Sequence, residues 1–212
     1  TGNKNAALRS EKVSKNTWRV YGENADEITV RYKVYAFELT VRTPFLDASH
    51  GYVQPAAVFM YVDKHLGAPA TLTVKPYKDW TQISTGLAPV GKDKWTLAVP
   101  NFDILVDSPI EIGNQRIFEF TALGIPGRWG YESNYTGFLS LVAHEYFHLW
   151  NIKRIRPKAL GPFDYDNENY TNLLWVAEGI TSYYDDLITH RAGFMTADQY
   201  LNSMAGSIGN TE

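Results

Sequence analysis

The chain has no cysteine among its 212 residues, so a disulfide framework and a thiolate metal site are both excluded, and any metal must be held by histidine and carboxylate. It has no strong bias of charge. With 20 Lys+Arg against 23 Asp+Glu the formal net charge is -3, which offers no electrostatic footprint for nucleic acid or for an anionic membrane surface. No stretch reaches the roughly 20 apolar residues of a membrane-spanning helix, no charged-then-apolar signal segment opens the sequence, and no repeat or low-complexity tract is visible. Compartment and oligomeric state are left open by these absences. A chain that opens on Thr1 rather than methionine is expected to have had residues upstream.

What is present is a globular composition, 44% hydrophobic and 14% aromatic, arranged in two halves of different period. Ile28-Thr29-Val30-Arg31-Tyr32-Lys33-Val34 places an apolar side chain at every second residue, the period of a strand with one buried face. Val58–Val62, Thr71–Val74, Trp95–Val99 and Arg116–Phe120 are similar short runs bounded by turn-forming residues. Residues 1–125 therefore read as an antiparallel β-sandwich. After Pro126 the period becomes helical, through Phe138, Leu141, Val142 and Leu149, and again through Leu173, Leu174, Val176, Ala177, Ile180, Tyr184 and Leu187. Gly193 is placed to close that second helix, and Thr196-Ala197-Asp198-Gln199 has the form of a capping box opening a third. The fold class expected is α+β, a sandwich followed by a mainly helical domain over residues 126–212.

The most specific signal is His144-Glu145-Tyr146-Phe147-His148. On a helix, residues four apart lie one turn apart on one face, so both imidazoles can reach a single metal ion, with Glu145 beside them. A zinc hydrolase needs a third protein ligand and an open position for water. Glu178 is the candidate, a lone carboxylate in the otherwise apolar Trp175-Val176-Ala177-Glu178-Gly179, where it is costly unless paired or metal-bound. Asp185 and Asp186 are rivals that read as a solvated helix face. Zinc in such a site lowers the pKa of its water towards neutrality, and Glu145 is placed to take the proton during attack on a carbonyl and return it to the departing amine. One Zn2+ per chain and a peptide or protein substrate follow from this chemistry.

The remaining histidines have no spaced partner: His50 sits in a turn-like stretch, His65 follows a charged pair, and His190 stands near a helix end, where a cation suits the macrodipole. Lys153, Arg154, Arg156 and Lys158 form a basic cluster past the motif, read first as a solvated helix end and second as a carboxylate site or an ion-pair partner of Asp164, Asp166 or Glu168.

His144-Glu145-Tyr146-Phe147-His148-Leu149-Trp150-Asn151-Ile152-Lys153-Arg154-Ile155-Arg156-Pro157 resembles the glycyl aminopeptidase family of zinc metallopeptidases, whose members commonly also carry a PDZ domain. The segment from Leu173 to Leu187 is similar to that family's third-ligand segment, and Thr43–Gly51 and Phe102–Gly113 to its amino-terminal domain. The resemblance runs from about Trp18 onward and implies a thermolysin-like catalytic domain behind a β-sandwich. It assigns zinc to His144, His148 and Glu178 and the catalytic base to Glu145, and implies release of small amino-terminal residues such as glycine or alanine.

Two departures from the family's pattern accompany it. Only 16 residues, with no alternating apolar run, separate Phe120 from Gly137, where the family carries a helix, strands and a Gly-Gly-x-Glu-His stretch lining the amino-terminal pocket. The chain also ends at Glu212, before the family's oxyanion-stabilising tyrosine, a role to which neither Tyr183 nor Tyr184 is assigned. These predict a partial catalytic domain, a fragment or a chain with residues omitted between Pro126 and Arg128, and an activity lowered by roughly two to three orders of magnitude for the missing oxyanion donor alone. Two alternatives stand beside this reading. An aminopeptidase N-like enzyme shares the motif, but 29 residues between His148 and Glu178 and Ala177 before Glu178 argue against it. A non-catalytic module would capture a peptide or partner and hold a structural metal, closed by a fourth protein ligand.

Overall fold

The computed structural model describes residues 7–22, 25–40, 42–115, 118–122, 125–129 and 135–209. They form an α+β chain, with β-sheets in the first part and helices in the second. Two compact units are distinguished: Thr1–Arg9 with Val20–Tyr131, and Ser10–Arg19 with Glu132–Glu212. Strands β1 (Ser10–Lys12) and β2 (Trp18–Val20) pair as a short ribbon whose turn is closed by Val13 N donating to Thr17 O at 2.9 Å.

The first unit is built on two larger antiparallel sheets and a separate two-stranded one. Its elements are β3 (Phe37–Thr40), β4 (Thr43–Leu46), β5 (His50–Val53), α1 (Pro55–Val58), β6 (Ala70–Thr73), β7 (Gln82–Ser84), β8 (Ala88–Val90), β9 (Asp93–Val99), α2 (Phe102–Val106), β10 (Ile110–Gly113), β11 (Phe118–Ala122) and β12 (Ile125–Trp129). One sheet has the order β3-β4-β5-β10-β7 and the other β6-β9-β8. In β10, Ile110 and Ile112 are 1% and 7% exposed, while Glu111 between them faces the other side, where it pairs with Tyr52 and Ser84. The two isoleucines and Trp80 form a core onto which Leu72 of β6 and Trp95 of β9 also pack, so the two sheets share one apolar interior as a sandwich does.

Several elements correct the sequence reading. Ile28–Val34, the clearest alternation in the chain, lies outside the sheets, and Ile28, Val30, Tyr32 and Val34 remain 38–55% exposed. Alternation marks a strand only where one face has a core to bury into, and these side chains have none. Val58–Val62 is not a strand either. Gln54 caps the turn that Pro55 opens, so Val58 ends a helix, and Tyr61 packs at a tilt against Phe102, ring centroids 4.8 Å apart. Of Arg116–Phe120 the first two residues lie outside the described residues, and the strand begins at Phe118. The stretch after Phe120, read as having no alternating apolar run, carries β12, paired with β11 in the register Thr121↔Pro126, Phe120↔Gly127 and Glu119↔Arg128. Gly124 and Gly130, in the same stretch, lie outside the described residues.

The second unit carries the helices α3 (Tyr135–Phe147), α4 (Ile180–Arg191) and α5 (Ala197–Gly209), with a 3-10 turn at Lys158–Leu160 and a π-helical turn at Trp175–Gly179. α3 packs on α4, with Phe147 stacked on Tyr184 at 4.6 Å. α4 ends as expected at Gly193 (φ +81°): Gly193 N donates to His190 O at 2.9 Å and Phe194 N to Thr189 O at 3.1 Å, a Schellman motif. The capping box also forms, Gln199 N donating to Thr196 Oγ1 at 3.2 Å and Thr196 N to Gln199 Oε1 at 2.9 Å. Among the described residues no helix is long and apolar enough to cross a membrane.

Candidate metal centre

His144 lies one turn before the end of α3, and His148 follows it, its N–H donating to His144 O at 3.2 Å so that the helical turn continues through the motif. The imidazoles meet edge to face, with centroids 4.7 Å apart. Glu178 reaches them from the π-helical turn that leads into α4. Its Oε2 lies 3.2 Å from His144 Nε2 and 3.5 Å from His148 Nε2, and the three ligand atoms all fall within 4.8 Å of one another. Glu145 is exposed and adjacent to His144, close enough for its charge to act on that imidazole.

The other ring nitrogen of each histidine is already committed. His144 Nδ1 donates to Asp185 Oδ2 at 2.9 Å and His148 Nδ1 donates to the main-chain oxygen of Asn151 at 2.9 Å. Nδ1 of each ring thus faces an acceptor, which leaves Nε2 as the nitrogen of each that meets Glu178 and would ligate a metal once it carries no proton. Burial pushes the His144 imidazole down, but the hydrogen bond and charge of Asp185, the Glu178 hydrogen bond and the Glu145 charge together outweigh it and hold His144 above the ordinary histidine range. Asp185 is itself raised, chiefly by burial, against the His144 hydrogen bond that favours its charged form.

A metal fits this donor set. Zinc bonds of about 2.0–2.2 Å in a tetrahedron put ligand atoms about 3.3 Å apart, and the two Nε2–Oε2 separations bracket that value. Two imidazole nitrogens and one carboxylate oxygen are borderline donors of the kind zinc takes, and the Glu178 side chain is 56% exposed, so the centre is open to solvent on one side.

Two sequence-based expectations are corrected here. Glu178 does not sit in an apolar interior: Leu174 and Trp175 beside it are 55% and 67% exposed, so its position owes nothing to burial and rests on the backbone turn that carries it. Asp185 is not on a solvated face. It is 9% exposed, bonded to His144, whereas its neighbour Asp186 accepts from Ser140 Oγ at 3.1 Å and from Ser203 Oγ at 2.5 Å, tying α3, α4 and α5 together. A spacing of seven residues from Glu178, two helical turns on one face, was the signal for Asp185.

The other histidines are held locally, His50 by Ser49, His65 by the carbonyl of Asp63, and His190 by the carbonyl of Met195. Arg156 lies over Gly161, where any side chain would collide with the guanidinium, and Asp164 is occupied within its own loop by Asn167 and the N–H of Asp166.

Residues 1–114 match the model for the peptidase M61 N-terminal domain, and residues 137–212 the model for M61 glycyl aminopeptidase. The chain belongs to the M61 glycyl aminopeptidase family. Both segments on which the sequence resemblance rests in the helical half, 144–157 and 173–187, lie inside the second M61 match. Among solved structures, the M61 chain is similar to the crystal structure of an aminopeptidase N family protein from Idiomarina loihiensis, with a TM-score of 0.79 and 26% identity over 92% of this chain and 46% of that one. This M61 chain therefore spans less than half the length of that protein. No curated protein matches it.

Proposed function

We propose that this chain carries the zinc centre of an M61 peptidase, with His144, His148 and Glu178 as ligands and Glu145 as general base, acting on peptide amino termini and releasing small residues such as glycine or alanine. The observation that carries this reading is the convergence of two Nε2 atoms and one carboxylate oxygen, with each Nδ1 already bonded elsewhere. In the same reading the catalytic part is the partial domain 126–212 and the sandwich is 1–125.

Zinc, when bound, supplies Lewis-acid polarisation of the scissile carbonyl and of water. Everything else falls to side chains. Glu145 takes the proton from the attacking water and returns it to the leaving nitrogen, so that the carboxylate is regenerated when the amine departs. His144 and His148 would ligate through Nε2, each ring oriented by its Nδ1 bond to Asp185 or to the Asn151 carbonyl. A structural metal would be closed by a fourth protein ligand, and the 56% exposure of Glu178 favours the catalytic reading over that alternative.

The test is elemental analysis together with turnover of an alanyl or glycyl anilide. One zinc per chain, lost in His148→Ala and retained in Glu145→Gln, is the expected result. Where the chain turns the anilide over, the reading also requires that Glu145→Gln abolish the reaction. Zinc retained by His148→Ala, or turnover undiminished in Glu145→Gln, overturns it.

A further inference from the structure

Glu178 and His148 come from different segments 30 positions apart, and one buried residue bonds both the His148 imidazole and the two backbone carbonyls just before Glu178. Asn151, three residues past His148, is 9% exposed. Its main-chain oxygen accepts the His148 Nδ1 proton at 2.9 Å. Its side-chain amide donates in the opposite direction, to Val176 O at 2.8 Å, Ala177 O at 3.0 Å and Thr181 Oγ1 at 3.0 Å. Val176 and Ala177 immediately precede Glu178.

Those carbonyls lie in the π-helical turn. A turn that widens from i→i+4 to i→i+5 interrupts the regular ladder, and the carbonyls it displaces must be satisfied from outside or left at a cost. Asn151 supplies two N–H groups at that point. Thr181, fully buried, completes the arrangement by donating its hydroxyl to Ala177 O at 2.6 Å while accepting from Asn151. The chain around Asn151 is shaped to present it: Ile152, a β-branched residue, sits at φ +139°, a strained conformation that persists only where neighbours over-determine it. Lys153 N donates back to His148 O at 3.0 Å across this bend.

We propose that Asn151 is a positioning residue that sets the separation of His148 Nε2 and Glu178 Oε2, fixing the imidazole through its carbonyl and the carboxylate through the backbone of the π-helical turn. The proposal rests on the zinc-ligand reading above. It assigns the Asn151 amide a role in metal affinity and geometry beyond its share in folding.

The experiment uses the full chain, wild type, Asn151→Leu and Thr181→Val, and measures zinc affinity by chelator competition, the visible spectrum of the Co2+-saturated protein, and the melting of the metal-free protein. Leucine has the same branched heavy-atom framework as asparagine, though bulkier, and no donor. Zinc affinity of Asn151→Leu is expected to fall roughly 10–100-fold, with a changed Co2+ spectrum at saturation. Thr181→Val, which leaves both carbonyl bonds of Asn151 in place, is expected to lose only a few-fold. A purely structural role would lower the melting temperature and leave the saturated Co2+ spectrum and zinc affinity unchanged, and that outcome overturns the proposal. If Asn151→Leu does not fold, Thr181→Val decides, unaltered affinity and spectrum again counting against it. A wild-type chain that binds no zinc is a different failure, that of the metal reading itself.

Discussion

The two units bury different things. In the sandwich unit the most enclosed side chains are apolar, Leu97 and Ile110 at 2% and 1% exposure, whereas in the helical unit they include Thr181, Thr189, Asn151 and Asp185, all polar and all hydrogen-bonded. Apolar burial is non-directional and scales with area, so it stabilises without specifying the position of any one atom. Buried hydrogen bonds contribute less net free energy each but fix direction and distance. The difference teaches where each unit is sensitive: the first should fail by unfolding, and the second by losing its geometry while still folded.

The largest effect that would sharpen this contrast is a cavity in the sandwich. Ile110→Ala removes three buried carbons from the shared core and is expected to cost about 2–5 kcal/mol, read as a lower midpoint in urea. Zinc affinity of the protein that remains folded should not change, and a parallel loss of affinity would break the contrast. Asp185→Asn comes next. The amide oxygen can still accept from His144 Nδ1 but carries no charge, so zinc affinity should drop roughly tenfold while the metal-free protein melts within a few degrees of wild type. A large fall in melting temperature with unaltered affinity would place Asp185 among the stabilising residues instead.

The smallest effect concerns Glu111, on the outward face of β10. Burial raises its carboxyl above the ordinary range, and the neighbouring His50 only partly offsets this. A carboxyl whose folded value exceeds its unfolded value contributes stability that is complete below the unfolded value and is lost as pH rises through the folded one. Glu111→Gln should therefore melt slightly higher than wild type near pH 7, the gap closing as pH falls below the ordinary glutamate range. A gap that stays constant with pH would show that ionisation of Glu111 is not its source.

The parts legible in the sequence were those encoded within a few residues. The motif histidines, the capping box at Thr196 and the glycine closing α4 each depend on contacts no more than five residues away, and all three local arrangements formed. Strand reading was less secure because pairing is decided at a distance: Trp95–Val99 found partners in β6 and β8, while the better-patterned Ile28–Val34 did not join a sheet. Glu178 was identified through an argument about burial that its exposure contradicts. Asp185 was weighed as a ligand and read as a solvated face, and Asn151 was missed, because each has its partner across the fold, His144 at 41 positions and Ala177 at 26. Nothing in their immediate neighbours distinguishes them from surface polar residues.

The π-helical turn at Trp175–Gly179 also makes the length of this segment a matter of phase. One additional residue per turn rotates everything downstream by about 100° relative to an uninterrupted α-helix. Deleting a single residue there would restore a regular ladder at little cost to the helix itself. It would also swing the carboxylate and the face carrying Thr181 and Asp185 out of step with the carbonyls held by Asn151. The segment is thus counted out by the angle at which its side chains must emerge, and a helix one residue shorter, more regular and equally well packed would point them elsewhere.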